Sequence, residues 1–339
     1  MEIILNKIAE IFSKQKQKNL FPKKIAVAVS GGCDSLALTL ILDEFCKKNK
    51  IILYAVTIDH KMRKSSAKEA IGLGKILSDK KINHNILTSK KTKKIESNIE
   101  SKLREMRYEM LYEFCQENKI EYLFLGHHIG DVAENFLIRL FRGSGLDGLS
   151  TMSEILQYQK IKLIRPLLDI TKEELQNFLQ KQQIKWFEDE TNNDEKFLRN
   201  KIRNFLNSFE EKNLIQKRIK KTSDEISKMR DVFDEEMLEE AMKTLSFQDN
   251  KFYLNLEKFK KIKPEIALKI FALTVIEVSG KIYKPRLEKL KKFYDWILFD
   301  ESHKLRDFYG SKAKKSDKNN LVIFGSKDIE FRTILKKIK

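Results

Sequence analysis

The chain contains few of the residues that build cross-links and metal clusters. It has 3 cysteines and 5 histidines among 339 residues. Cys33, Cys46 and Cys115 are odd in number and far apart, which argues against a disulfide framework or a Cys-x-x-Cys site. His127 and His128 are adjacent and not spaced along one helix face, so a zinc site is not indicated. We expect reduced thiols, and any bound metal to be Mg²⁺ held by carboxylate and phosphate oxygens.

Long hydrophobic runs are also absent. The longest, such as Ile51–Tyr54, fall far short of the roughly 20 residues that cross a bilayer. The segment Met1–Lys7 lacks the apolar core and cleavage site of a signal peptide. These absences predict a cytoplasmic protein. The length of 339 residues exceeds what one core fills efficiently, about 250–300 residues, and predicts two or three modules.

The charge is strongly positive and unevenly distributed. The formal net charge is +18, and two segments, 61–94 and 281–339, each carry an excess of nine basic residues. The segment 211–280 between them is nearly balanced, with 14 basic and 13 acidic residues. Two basic patches are typical of a surface that binds a polyanion, because each phosphate contact releases counterions. A generally basic, solvated surface is the alternative explanation.

The first 170 residues alternate strand-like and helix-like patterns. Ile25–Val29 is an unbroken apolar run of the kind that is buried on both faces of a parallel sheet. The rhythm predicts an α/β fold with a doubly wound parallel sheet that binds ligands at the carboxyl ends of its strands. Further strands are predicted at Ile51–Ile58, Asn85–Thr88, Tyr122–Leu125 and Ile161–Leu167, and helices at Ser35–Lys48, Ser66–Ser78, Ile99–Asn118, Asp131–Phe141 and 171–182.

Charged helical sequence follows the predicted sheet, from about 196 to 245. We place a domain boundary near Phe209–Glu211, which divides the chain into residues 1–210 and 211–339. The second part is predicted to be mainly helical over 211–280 and basic over 281–339, with a strand at Leu321–Phe324.

The loop Ser30-Gly31-Gly32-Cys33-Asp34-Ser35 joins the first strand to the first predicted helix. Glycines allow backbone N–H groups to approach a phosphate, the serines offer hydroxyls, and a helix N-terminus favours an anion. Asp34 beside phosphate fits a magnesium ligand. No Walker-type motif is present in the sequence. The segment 143–148 matches G-x-G-x-x-G, the fingerprint of dinucleotide-binding loops. Such a loop follows a strand, whereas this segment follows a predicted helix, so we interpret it as a flexible loop.

The loop resembles the PP-loop of the N-type ATP pyrophosphatases, which cleave ATP between its α and β phosphates and transfer AMP. Further segments resemble the tRNA(Ile)-lysidine synthase family over about the first 210 residues. They are Thr57–Arg63, Asn98–Tyr108, Leu125–Asn135, Arg139–Leu149, Trp186–Asn192 and Leu198–Arg203.

The resemblance implies a PP-loop catalytic domain at 1–210 and a tRNA-binding region at 211–339. It implies an enzyme that uses ATP and Mg²⁺ to join L-lysine to the wobble cytidine of tRNA(Ile) with a CAU anticodon, and that releases AMP and pyrophosphate. The oligomeric state stays open, with a homodimer among the options. Two positions depart from the family pattern: Gly130 stands where an aspartate is usual, and Asn135 where a threonine is usual.

The resemblance also implies roles for individual side chains. Each has a structural alternative: an acidic helix start, a core histidine, a salt bridge, a surface helix or a turn. The implied catalytic residues are Asp34, Arg107 and His127, and Asp34 is also the implied Mg²⁺ ligand. The residues implied to bind ATP are Ser30, Gly31, Gly32, Cys33, Asp34, Ser35, Asp59 and His60. Asp131 and Glu134 are implied to bind lysine, and Arg199 and Arg203 to bind RNA or a substrate carboxylate.

Three other functions remain open. A PP-loop tRNA thiolase would need catalytic or cluster-binding cysteines, whereas Cys46 and Cys115 fall within predicted helices. An amidating ligase, such as an NAD or GMP synthetase, would not explain the basic patches. A non-enzymatic RNA-binding protein would have no need of carboxylates such as Asp34, Asp131 and Glu134 beside phosphate.

Overall fold

The chain folds into two compact units, Met1–Ser227 and Lys228–Lys339. The structure is a computed structural model that describes residues 2–15, 21–59, 64–88, 99–150, 152–187, 198–281, 284–300, 302–317, 319–325, 328–329, 331 and 333–338. The boundary lies inside a long helix, and the boundary expected near 209–211 falls within the first unit. None of the helices in these ranges is both long and apolar enough to cross a membrane.

The first unit contains a six-stranded sheet with helices on both faces. Its strands are β1 (Lys24–Ala28), β2 (Ile52–Asp59), β3 (Asn83–Thr88), β4 (Tyr122–Leu125), β5 (Ile155–Tyr158) and β6 (Ile161–Ile164). Its helices are α1 (Glu2–Gln15), α2 (Cys33–Asn49), α3 (Lys64–Asp79), α4 (Ile99–Glu117), α5 (Ile129–Phe141), α6 (Leu146–Leu149), α7 (Lys172–Lys181), α8 (Leu198–Asn207) and the start of α9 (Lys212–Thr244).

The strand order is β3-β2-β1-β4-β6-β5. All neighbouring strands are parallel except β5, which pairs antiparallel with β6. The chain proceeds from β1 to β2 and β3 on one side, and β4 returns to the other side of β1. The order therefore reverses between β1 and β4, and the crevice at their carboxyl ends is the expected ligand site of such a sheet.

Strand β1 shows why the sheet is covered on both faces. Ile25, Ala26 and Val27 are all fully buried. Side chains alternate along a strand, so Ile25 and Val27 pack in one core with α1, α2 and α7, and Ala26 packs in another with α4. The apolar run that predicted a buried parallel strand thus serves two separate cores, and the doubly wound prediction is confirmed.

Most predicted elements are present, with ends shifted by a few residues. The strand predicted at Ile161–Leu167 ends at Ile164, and β5 was not predicted because its side chains are half-exposed. The interpretation of 143–148 as a flexible loop is wrong for its second half, because Gly145 is the N-cap of the short helix α6, which starts at Leu146. Gly143 has φ +66°, a left-handed value that prevents α5 from continuing.

The second unit packs two helices against an antiparallel sheet. After α9 come β7 (Leu245–Gln248), β8 (Lys251–Asn255), α10 (Leu256–Phe259), α11 (Pro264–Ser279), α12 (Leu287–Phe299), β9 (Arg306–Phe308), β10 (Ser311–Lys315), β11 (Asn320–Phe324) and a 3₁₀ helix (Ile334–Ile338). The sheet order is β7-β8-β11-β10-β9. The strand predicted at Leu321–Phe324 corresponds to β11. The hairpin β7-β8 lies within the segment predicted to be helical, and its turn uses Asp249 and Asn250 with φ of 49° and 60°, the geometry of a type I′ turn.

Helix α7, predicted at 171–182, begins with a capping box formed by Thr171 and Glu174. Thr171 Oγ1 accepts the Glu174 N–H at 3.2 Å, and the Glu174 carboxylate accepts the Thr171 N–H at 2.8 Å. The box satisfies two backbone donors that would otherwise lack partners. It also sets the position of Lys172, the next residue.

Replacing Thr171 by alanine should destabilise the first turn of α7 by about 1 kcal/mol, because the cap acceptor is lost. Thr171→Ser is the matched control, since it loses the same methyl group but keeps the hydroxyl. Hydrogen exchange of the α7 amides measures the difference. Equal protection in the two variants would contradict the role of the capping box.

Candidate active site

The loop between β1 and α2 has the geometry of an anion cradle. Gly31 has φ +89°, which a residue with a Cβ rarely adopts. The Ser30 backbone N–H donates to Ser35 Oγ at 3.0 Å, and the two hydroxyl oxygens lie 3.1 Å apart. Helix α2 starts at Cys33 after Gly32, which offers no side-chain cap. The N-terminus of α2 is therefore available to an anion.

Two neighbouring segments fix the shape of this loop. The Phe187 N–H donates to the Gly31 carbonyl at 3.1 Å. A Cβ on Gly31 would lie 3.0 Å from the Phe187 ring, and one on Gly72 would lie 2.7 Å from it. On the other side, a Cβ on Gly126 would lie 3.0 Å from the Ser35 backbone. The glycines thus permit close packing of α3 and the end of β4 around the loop.

Asp34 lies in the first turn of α2 and fits a magnesium ligand. Its Oδ1 is buried and has no hydrogen-bond partner among the described residues. Burial raises the pKa of this carboxyl; His128 opposes that change, and Asp131 adds to it. Within the same part of the chain, no group of three or more His, Cys, Asp or Glu side chains is arranged to hold a metal. A single carboxylate suits Mg²⁺, which takes its other ligands from substrate phosphates and water.

Asp131 lies opposite Asp34 at the start of α5. Its Oδ2 accepts the His128 backbone N–H at 3.0 Å. Burial raises the pKa of Asp131, but His128, His127 and that hydrogen bond outweigh it, so the pKa is lowered overall. The side chain keeps 19% of its exposure. Asp131 is therefore a charged carboxylate at neutral pH that a small cation can reach.

The imidazole of His128 lies between these two carboxylates. Its Nε2 is 3.7 Å from Asp34 Oδ2 and 3.7 Å from Asp131 Oδ2. Its Nδ1 accepts the Gly130 backbone N–H at 3.0 Å. The sequence interpretation assigned a role to His127 and none to His128. The adjacent Asp34 is 94 residues away in the chain, so only the fold reveals this contact.

His127 follows β4 and is held in a different environment. Its Nδ1 is buried without a hydrogen-bond partner in the described part of the chain. Burial lowers the pKa of His127 to about 4, and the nearby Arg165, Arg104 and Arg199 contribute in the same direction against Asp131. The ring is neutral at physiological pH. It can therefore act as a hydrogen-bond donor or acceptor, not as a fixed cation.

Glu134 on α5 and the two arginines of α8 form one ion-pair cluster. Arg203 binds the carboxylate through Nε at 2.6 Å and Nη2 at 3.2 Å, and Arg199 binds it through Nε at 3.1 Å. Glu134 is only 5% exposed. Ala133, Ile202 and Leu206 add an apolar contact between the two helices. The prediction placed Glu134 at a substrate amine and the arginines at an anion, whereas here both arginines bind Glu134.

A cavity of about 180 Å³ lies between these groups. It is lined by residues from the loop, from the starts of α5, α7 and α9, and from α8. They are Asp34, His128, Gly130, Asp131, Glu134, Lys172, Glu173, Arg203, Leu206, Asn207, Lys212, Asn213 and Gln216. The sequence interpretation missed Lys172, Glu173, Lys212, Asn213 and Gln216, because nothing in a helix start indicates which site it faces.

Of the remaining predicted residues, Asp59 and Arg107 do not line this cavity, and one lies outside the described residues. Asp59 is the last residue of β2 and is half-buried in register with Thr88. Arg107 lies on α4 with an exposed side chain, near Arg104 and Tyr108. His60 lies outside the described residues.

The fold and the loop define a PP-loop protein, and residues 2–210 match the PP-loop domain family. A tRNA(Ile)-lysidine synthase from Wolbachia pipientis wMel is 31% identical over 316 residues, covering 93% of this chain and 73% of the relative. One from Orientia tsutsugamushi (strain Boryong) is 34% identical over 276 residues, covering 79% and 62%. One from Rickettsia typhi (strain ATCC VR-144 / Wilmington) is 37% identical over 263 residues, covering 76% and 60%.

The chain belongs to the tRNA(Ile)-lysidine synthase family of PP-loop proteins. Its matches span 60–73% of the length of the three relatives. Among solved structures, the U34-tRNA thiolase NcsA from Methanococcus maripaludis aligns with a TM-score of 0.53 and 18% identity, over 66% of this chain and 79% of the thiolase. At that identity the likeness concerns the fold alone.

Replacing Glu134 by glutamine should lower the free energy of unfolding by about 2–3 kcal/mol, because two partly exposed guanidinium groups lose a buried partner. Asp43→Asn is the matched control, since Asp43 forms an ion pair with the exposed Lys47 on α2 and should cost about 0.5 kcal/mol or less. Denaturant unfolding and hydrogen exchange of α8 measure both. A Glu134→Gln cost no larger than that of Asp43→Asn would contradict the structural role.

Proposed function

We propose that this chain catalyses the ATP-dependent formation of lysidine from the wobble cytidine of tRNA(Ile) bearing a CAU anticodon. The observation that carries the proposal is one cavity in which Asp34, at the end of a phosphate loop, faces the charged and partly exposed carboxylate of Asp131. Membership of the tRNA(Ile)-lysidine synthase family supports the choice of substrate.

The phosphate end of the site would bind ATP. Ser30, Ser35 and the N-terminus of α2 offer donors to the phosphates. Asp34 would hold Mg²⁺, which neutralises phosphate charge when bound. Neutral His127 is suited to donate a hydrogen bond to the α-phosphate as negative charge develops there.

The amine end of the site would bind lysine. Asp131 is charged and partly exposed, so it is the carboxylate best suited to an ammonium group. The carboxylate of Glu134 is bound by Arg199 and Arg203, so we assign Glu134 the role of holding those two arginines in place. Lys172, Lys212 and Glu173 in the cavity lining would complement the carboxylate and the α-amine of a bound lysine. A neutral substrate would leave these charges without partners, which disfavours it.

The proposed reaction has two displacement steps. In the first, the cytosine C2 oxygen attacks the α-phosphorus of ATP, the bond to the β-phosphate oxygen breaks, and pyrophosphate leaves. In the second, the side-chain amine of lysine attacks C2, the C2–oxygen bond breaks, AMP leaves with that oxygen, and the amine loses a proton. The role of the protein is chiefly to hold the reacting groups together and to stabilise charge.

The second unit offers a surface that is suited to RNA. Lys251, Lys312 and Lys314 are exposed on β8 and β10. Lys251 lies over the Phe324 ring at 5.8 Å, and the half-exposed Tyr253 and Phe324 lie between the lysines. Lysines with interspersed aromatic rings on a sheet face are typical of phosphate and base contacts. We propose that residues 211–339 bind the tRNA.

Sulfur transfer is the main alternative, and the cysteines disfavour it. Cys33, Cys46 and Cys115 are all buried, and none of them forms a disulfide. Burial raises the pKa of Cys46 and of Cys115 to about 12. A thiol nucleophile or cluster ligand must be accessible and readily deprotonated, and these two are neither.

Labelled lysine should enter unmodified tRNA(Ile) with a CAU anticodon when the protein is supplied with ATP and Mg²⁺. Asp34→Asn should reduce incorporation by about 100-fold or more, because it removes the charge that holds the metal. Asp43→Asn on the same helix is the matched control and should retain activity. Absence of label with the folded wild-type protein, after ATP binding has been verified, would refute the proposed function.

The double variant Lys312→Ala/Lys314→Ala should weaken tRNA binding and reduce the slope of log K against log salt by about two, as expected for two lost phosphate contacts. Lys263→Ala is the control, since Lys263 is exposed, pairs with Glu236 and is the N-cap of α11, so it lies on none of the strands of this sheet. Filter binding over a range of salt concentrations measures the slope. An unchanged slope in the double variant would remove this face from the tRNA site.

A further inference from the structure

His128 lies near two of the carboxylates of the site, Asp34 and Asp131, through one atom. Its Nδ1 accepts the Gly130 N–H, so in the neutral ring the proton resides on Nε2. That N–H lies 3.7 Å from an oxygen of Asp34 and 3.7 Å from one of Asp131. Both distances exceed a hydrogen bond, so the present contact is electrostatic. Such contacts commonly tighten when substrates bind.

Gly130 leaves the space that the ring occupies. A Cβ at this position would lie 2.5 Å from His128 Cε1 and 3.0 Å from Nδ1. The resemblance to the family puts an aspartate here, and any side chain would force the ring out of its position. Glycine at position 130, in place of the family's aspartate, therefore permits this ring position because it lacks a Cβ, and not because of an unusual φ.

We propose that His128 is a positioning residue that holds Asp34 and Asp131 in register with each other, and that Gly130 makes this ring position possible. The inference rests on the proposed function. Asp34 belongs to the ATP end of the site and Asp131 to the amine end. Two carboxylates that face one cavity repel each other, and a shared N–H between them offsets that repulsion. His128 would thereby align the amine with the activated cytidine.

The competing explanation is that His128 is only the N-cap of α5. Two substitutions separate the explanations, because each keeps a different half of the imidazole. Asparagine is a good N-cap and can accept the Gly130 N–H, but it cannot reach both carboxylates. Glutamine places an N–H near the position of Nε2 and loses the cap.

The experiment compares His128→Asn, His128→Gln and the wild-type protein. Two constants are measured: kcat/KM for lysine with tRNA(Ile), and the dissociation constant of Mg–ATP by calorimetry without tRNA. We expect the asparagine variant to lose about tenfold in kcat/KM, as for a misplaced reacting group, and the glutamine variant to lose about threefold or less. Hydrogen exchange should show α5 better protected in the asparagine variant. A change in either constant confined to the asparagine variant supports positioning.

The proposal is overturned if the asparagine variant keeps both constants within about threefold of the wild type, or if glutamine loses as much as asparagine. A wild-type protein without lysine incorporation would instead refute the proposed function, and the Mg–ATP constant would still test the contact between His128 and Asp34. The two failures are therefore distinguishable.

Gly130→Ala provides an independent check. Alanine is the better helix former, so a loss of activity would not come from a weaker helix. We expect it to reduce kcat/KM for lysine as His128→Asn does. Gly74→Ala is the matched control, because a Cβ there would meet His84 Nδ1 at an ordinary 3.5 Å. Equal activity of the two alanine variants would contradict the role assigned to Gly130.

Discussion

The ion pair of Glu134 with Arg199 and Arg203 is the contact on which the site depends. Glu134 is almost fully buried, and an unpaired carboxylate there would be costly. Its two arginines come from α8, which also packs against α5 through an apolar cluster that includes Ala133, Ile202 and Leu206. The charge pairing and this cluster together hold α8 over α5. Without α8 the cavity would lose Arg203, Leu206 and Asn207 and would open on one side.

Two other carboxylates of the cavity, Asp34 and Asp131, have different surroundings. Burial raises the pKa of Asp34, whereas His128, His127 and a backbone hydrogen bond bring that of Asp131 below its usual value. Burial destabilises the charged form of a carboxylate such as that of Asp34, and a bound cation such as Mg²⁺ would stabilise it. A carboxylate that is already stable as an anion, such as that of Asp131, can pair with an ammonium group. The two adjacent histidines also differ in their assigned roles. His127 is neutral and is assigned to the α-phosphate of ATP, whereas His128 is assigned to the two carboxylates Asp34 and Asp131.

Much of the first unit could be predicted because its signals are local. The apolar run Ile25–Val29, the loop Ser30–Ser35 and the capping box at Thr171 each depend on neighbours within a few residues. The hairpin β7-β8 escaped prediction although Asp249-Asn250 is a fair turn signal, because the surrounding sequence is rich in charged helix formers. Strand β5 has half-exposed side chains, so its hydrophobic pattern is weak.

The sequence alone determined the strand-loop-helix unit, the doubly wound sheet and the set of charged residues at its carboxyl edge. Short-range periodicity and turn chemistry suffice for these, because the interactions that specify them lie close together in the chain. The tertiary structure alone decided which charges meet. Arg199 and Arg203 were predicted to face an anionic ligand, and they bind Glu134, 65 and 69 residues away in the chain. Pairing over such separations depends on which helices pack together, and hence on the whole core and not on any local pattern.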